Sequence, residues 1–205
     1  MSAPDVACDR EADLESILTR RVLDSIAIRQ SMLAGDLLRD AAIAARVVVE
    51  AARRRSTIFF IGNGGSSADA GHLAAELLGR FYVDRAPLPA IALADTTAAV
   101  TAIGNDYGYD DVFARQLAAL ARPGDVVVGL STSGNSTNVV RAFERARVLN
   151  ATSIALTGET GGVLAGVSDY CLRIPSTDTA RIQECHVLIG HTICELVERD
   201  LLTQS

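Results

Sequence analysis

Lysine is absent from this chain: all 19 basic residues are arginine. That removes a set of chemistries outright, because no Schiff-base aldolase, lysine-bound pyridoxal phosphate or P-loop lysine is available. Tryptophan is also missing and aromatic residues make up only 4%, so the core has to come from Ala, Leu, Val and Ile. The four cysteines (Cys8, Cys171, Cys185 and Cys194) show no C-x-x-C spacing and read as ordinary intracellular thiols. No apolar run approaches the ~18 residues of a membrane span, and Met1 to Glu15 is acidic and polar, unlike a secretion signal. The net charge is −6, and the densest basic cluster is Arg53, Arg54 and Arg55. That cluster closes an apolar helix, where cations suit the negative end of the helix dipole; nucleic-acid binding is the lesser reading. These absences predict a soluble, cytoplasmic protein with neither a membrane nor a nucleic-acid partner.

What is present suits one domain with a sizeable core: 205 residues, 49% hydrophobic and 21% charged. Residues 1–9 read as a flexible N-terminus and 10–205 as the domain. From about Arg10 to Met32 the pattern is helical, with Leu14, Ile17, Leu18, Val22 and Ile26 on one stripe. Asp36 to about Arg54 is a second helix. Both precede the first strand, more than a minimal α/β unit needs, so they dock either on the sheet or on another subunit. Short apolar runs then alternate with helices. Strands are expected at 57–61, 88–93, 125–130, 153–156 and 170–174. Helices are expected at 66–82, 112–121, 135–149, 162–165 and 179–202. Such alternation implies a doubly wound, mostly parallel five-stranded sheet covered on both faces.

Ligands of open parallel sheets bind beyond the carboxyl ends of the strands, and two loops there suit an anion. One is Gly62-Asn63-Gly64-Gly65-Ser66-Ser67; the other is Ser131-Thr132-Ser133-Gly134-Asn135-Ser136. Glycines let the backbone approach a ligand, and hydroxyls and helix N-terminal N–H groups donate to phosphate oxygens. Either loop alone is equally a tight turn whose Ser or Asn caps the next helix; two in equivalent places favour a phosphate site. A dinucleotide fold fits poorly. The third glycine of its fingerprint falls on Ser67, and no acidic residue ends the second strand at the required distance. Among ionisable groups, His72 and Glu76 stand four apart on one helix face. On the last helix Gln183, Val187 and His191 follow one slowly drifting stripe, with His186 well round from it. Two His, one Glu and one amide suit a metal such as Zn²⁺, although a His–Glu pair at this spacing is commonly just a solvated salt bridge.

These segments carry a resemblance. Gly62-Asn-Gly-Gly-Ser-Ser-Ala-Asp-Ala-Gly-His72-Leu-Ala-Ala-Glu76, Gly104-Asn105-Asp106-Tyr107-Gly108, Ser131-Thr-Ser-Gly-Asn-Ser136 and Arg181-Ile-Gln183-Glu184-x-His186 with His191 resemble the sugar isomerase (SIS) fold. Within it they look like the phosphoheptose isomerases. The resemblance implies an aldose–ketose isomerase that converts sedoheptulose 7-phosphate to D-glycero-D-manno-heptose 7-phosphate, opening nucleotide-activated heptose biosynthesis. It implies Glu76 and His191 as the acid/base pair, and one Zn²⁺ per subunit on His72, Glu76, Gln183 and His191. Substrate contacts would fall on Asn63, Gly64, Gly65, Ser66, Arg80, Asn105, Asp106, Ser131, Thr132, Ser133, Ser136 and Gln183. It also implies a homotetramer with active sites near subunit contacts. Some members carry Asp immediately before the Arg-Ile-Gln run, where this chain has Ala180; the lost sugar contact is either absent or taken by Asp178. The competing reading is a non-catalytic SIS protein that binds the bacterial replication initiator. Such proteins lose catalytic positions, whereas His72, Glu76, Gln183 and His191 are all present here.

Overall fold

The computed structural model describes residues 14–203. Helices α1 (Leu14–Leu33) and α2 (Leu37–Arg53) lead into strand β1 (Ile58–Gly62) and helix α3 (Gly65–Leu78). Strand β2 (Ala90–Ala92), helix α4 (Thr97–Tyr107), a 3₁₀ turn (Tyr109–Asp111) and helix α5 (Val112–Leu120) follow. Strand β3 (Val126–Ser131), helix α6 (Thr137–Val148), strand β4 (Thr152–Thr157), the short α7 (Leu164–Val167), strand β5 (Tyr170–Arg173) and helix α8 (Thr179–Leu202) complete the order. All pairings are parallel and the strands run β2-β1-β3-β4-β5. The expected flexible N-terminus and the first residues of the first helix lie outside the described residues.

The strands read as continuous apolar runs because both faces of the sheet are covered. Ile58 and Phe60 belong to one core with Val126, Val128 and Leu130, under α2, α3 and α8. Phe59 and Ile61 point the other way, into a core with Val127, Phe113, Val139 and Phe143 under α5 and α6.

Two departures from the sequence reading have physical causes, and a third feature, the stripe of α1, bears on a docking choice that the reading left open. Helix α4 is not visible in the pattern: Thr97, Thr101 and Val100 are β-branched and Gly104 interrupts it, so intrinsic propensity is poor. It forms because Val100 and Ile103 pack on the second core. Helix α3 stops at Leu78 rather than Tyr82, where Gly79 follows and Arg85 takes up the terminal carbonyls. The α1 stripe faces away from the sheet: Leu14, Ile17, Leu18, Val22 and Ile26 are all exposed, and only Met32 of that helix is buried. Among the described residues, no helix is long and apolar enough to cross a membrane.

Candidate active site

The strand order reverses between β1 and β3, so chains leaving their carboxyl ends diverge and open a crevice there. The register sets Gly62 beside Leu130, which brings the two glycine- and serine-rich loops side by side. Side-chain amides tie them. Asn63 Nδ2 donates to Asn138 Oδ1 and Asn138 Nδ2 donates back to Asn63 Oδ1, each at 2.9 Å. The Tyr109 hydroxyl donates to the same Asn63 oxygen at 2.9 Å. Asn138 and Tyr109 are not singled out by the sequence; each follows a proposed contact, Ser136 and Asp106, by two or three residues. Asn63 thus spends its side chain on the first turn of α6 and the 3₁₀ turn, and its carbonyl accepts from Ser66 N–H at 3.1 Å.

The second loop leads into α6. Ser131 and Ser136 hydroxyls are 2.9 Å apart, and Ser133 Oγ accepts from Asn135 N–H at 3.1 Å. The loop rests on the segment after β4: Gly158 N–H donates to Thr132 O at 2.9 Å, and Leu164 N–H to Gly134 O at 3.0 Å. Gly134 has φ +67°, and a Cβ there would stand 2.1 Å from the Gly161 carbonyl oxygen. The loop thus sets its hydroxyls beside the N-terminus of α6, a combination that suits an anion.

Helix α3 begins in the first loop and carries His72 and Glu76, two and three turns on. His191 comes from α8. His72 Nε2 lies 2.7 Å from His191 Nε2 and 3.5 Å from Glu76 Oε1. Ligand atoms of the three residues lie within 4.8 Å of one another. Two imidazole nitrogens and a carboxylate aimed at one point can bind a metal ion, and the donor set is of the type that holds Zn²⁺. What lets the helices meet is Gly190: a Cβ there would stand 2.5 Å from Leu73 Cδ1. Gln183, two turns before His191, has its amide against Gly65, 3.5 Å from Ser66 Oγ. It therefore lies at the head of α3.

The remaining residues lie apart from this cluster. Asn105 and Asp106 end α4, exposed, with Asn105 Nδ2 donating to Asp106 Oδ1 at 2.8 Å. Arg80 is exposed just past α3. His186 is fully buried; burial pushes it down to about 4 against the opposing hydrogen bond to Thr157 O, so its ring is neutral and belongs to the core. Asp178 caps α8, Oδ1 accepting from Ala180 N–H at 2.9 Å. One of the two carboxylate oxygens is therefore committed to the helix before any sugar hydroxyl arrives.

A family model for the SIS domain matches residues 24–158. The phosphoheptose isomerase of Rhodospirillum rubrum is 54% identical over 164 residues, 80% of this chain and 87% of that protein. The chain belongs to the phosphoheptose isomerases of the SIS domain family. Two solved phosphoheptose isomerases share the whole architecture. The one from Francisella tularensis gives a TM-score of 0.87 at 37% identity, over 92% of this chain and 100% of that one. The one from Neisseria gonorrhoeae gives 0.85 at 41% identity, over 91% and 100%.

Proposed function

We propose that this protein isomerises sedoheptulose 7-phosphate to D-glycero-D-manno-heptose 7-phosphate in the cytoplasm, opening the route to nucleotide-activated heptoses. The observation that carries the reading is the convergence of His72, Glu76 and His191 on helices that flank two anion-binding loops. The substrate asks for that separation, because its reacting carbons C1 and C2 lie at the far end of the chain from the phosphate on C7. The loop 131–136 and the α6 N-terminus hold the phosphate; Ser131, Thr132, Ser133 and Ser136 donate to it. Asn63, Gly64, Gly65, Ser66, Arg80, Asn105 and Asp106 line the path of the sugar. Glu76 removes a proton from C1, giving the enediol, and returns one to C2. His191 protonates O2 and accepts the proton that leaves O1, so atoms balance within the substrate. Anchoring a distant phosphate converts binding energy into positioning of these carbons. His72, Glu76, Gln183 and His191 would hold one Zn²⁺ per subunit, which when bound polarises the carbonyl and hydroxyl oxygens.

The test is incubation with sedoheptulose 7-phosphate and identification of the product by NMR. Turnover to the aldoheptose is expected, with little on fructose 6-phosphate. Equal efficiency on both sugars would overturn the heptose assignment and leave the isomerase one standing; no turnover of either would favour the binding-protein reading.

Zinc is expected at about one ion per subunit in protein purified without an affinity tag, measured by metal analysis. Chelation is expected to lower the rate, and full activity in metal-free protein would remove the ion from the scheme.

The outward apolar stripe of α1 and a groove of about 560 Å³ lined by Ile26, Leu33, Leu38, Ala41, Leu188 and Leu196 support self-association, which we read as the homotetramer that the family resemblance implies. Apolar patches of this extent are uncommon on monomers. Light scattering is expected to give four times the chain mass, and a monomer at micromolar concentration would refute it.

A further inference from the structure

We propose that Arg85 and Glu198, a buried ion pair outside the substrate crevice, are positioning residues that hold Glu76 and His191 in register. The proposal rests on the roles given above to those two residues. Arg85 and Glu198 side chains are only 8% and 2% exposed, with Arg85 Nε donating to Glu198 Oε1 at 3.0 Å.

Each half of the pair reaches one of the two reacting groups. The last carbonyls of α3 have no partners within the helix. Arg85 supplies them: Nη2 donates to Glu76 O at 2.9 Å, and Nη1 to Leu77 O at 2.9 Å and Gly79 O at 3.4 Å. The fixed guanidinium fork serves these carbonyls while keeping Nε for the carboxylate; an ammonium has no such geometry. The backbone of Glu76 itself is therefore clamped.

Glu198 lies on α8 seven residues after His191, two turns along the same face. Its carboxylate accepts from Phe81 N–H at 2.8 Å, Tyr82 N–H at 2.8 Å and Val83 N–H at 3.1 Å. Burial would push this carboxyl up, but the three N–H groups and Arg85 outweigh it and hold it below its ordinary value. The chain so held delivers the Phe81 ring against the His191 imidazole, centroids 5.2 Å apart. Between them on α8, Cys194 is buried, its thiol pushed up to about 12 by burial with help from Glu76, so it fills space as a neutral group. Burying two opposite charges is a weak device for stability, since apolar side chains of similar volume often do as well or better. Fixing a helix end and a ring at once is what apolar side chains do not do.

The experiment compares Arg85→Lys and the double variant Arg85→Met/Glu198→Leu with the wild type and with Glu76→Gln. Melting temperature, kcat and KM on sedoheptulose 7-phosphate, and calorimetric affinity for Zn²⁺ alone are measured in each. We expect the double variant to fold, with kcat lowered by about 10²-fold, KM within a factor of about two to three since the phosphate loop is untouched, and Zn²⁺ affinity lowered by roughly 10–100-fold. Arg85→Lys should show the same pattern in weaker form. A wild-type kcat and Zn²⁺ affinity in a folded double variant, beside an inactive Glu76→Gln, overturns the positioning role alone. Should the double variant not fold, Arg85→Lys decides: unchanged kcat with only a lower melting temperature means the pair is structural. An active Glu76→Gln instead overturns the underlying site reading.

Discussion

Glu76→Gln is expected to lower kcat by about 10²–10⁴-fold, the usual loss when a general acid or base is removed. His191→Ala is expected to fall in the same range. Glutamine keeps the size of the side chain and its hydrogen bonding but cannot take a proton from carbon. The two residues come from different helices and meet at one point through His72, so the double variant should lose little more than either single one. The competing account treats His72 and Glu76 as an exposed ion pair at helical spacing, worth ~0–1 kcal/mol of stability and nothing in turnover. Circular dichroism and light scattering establish that the variants fold and assemble; steady-state rates then separate the accounts. If the wild type turns over the heptose and both variants keep half its rate, the chemistry assigned to this cluster is wrong.

Gly134→Ala is expected to be the most damaging small substitution in the phosphate loop. A non-glycine residue in the left-handed region costs about 1–2 kcal/mol. Here the new Cβ would also stand 2.1 Å from Gly161 O and 2.5 Å from Gly161 C, backbone atoms that cannot swing aside, which adds roughly 1–3 kcal/mol of overpacking. A loss of ~2–5 kcal/mol in urea unfolding follows, with KM raised because the loop that holds the phosphate must move. Gly64→Ala is the control: φ is +55° but nothing lies within 4 Å of its Cβ, so only the conformational penalty applies. Equal stability losses in the two variants would show that the contact with Gly161 is not what the glycine is for.

Much of this architecture can be read along the chain, and the exceptions share one cause. Helix α8 runs Thr179–Leu202 as its periodicity predicts, because Asp178 caps it and Ile182, Cys185, Ile189, Ile193 and Val197 recur along its buried face. The strands are visible for the same local reason, as short runs of Val, Ile and Phe. Helix α4 is not, because its support comes from the far core and not from its own residues. The end of α3 is not, because Arg85 takes up its last carbonyls from outside the helix. The i, i+4 spacing of His72 and Glu76 shows a pair on one face. It does not show that His191, 119 positions later, closes on it; that depends on Gly190 giving Leu73 room. Likewise periodicity reveals that α1 has an apolar stripe but not which way it faces, since a stripe bound for another subunit has the same spacing as one bound for the sheet. The resemblance to a known family supplied what spacing could not.

The reciprocal amides of Asn63 and Asn138 have a consequence for how the protein responds to acidity. An amide neither gains nor loses a proton across the range in which proteins stay folded. The link between the loop after β1 and the start of α6 therefore keeps the same donors and acceptors at every working pH. Turning over one amide alone would set NH₂ against NH₂ and oxygen against oxygen, so the two amides are locked to each other, and in the arrangement seen Asn63 Oδ1 also takes the Tyr109 hydroxyl. The spacing that this link gives the two loops is thus independent of acidity, as a site proposed to hold phosphate requires.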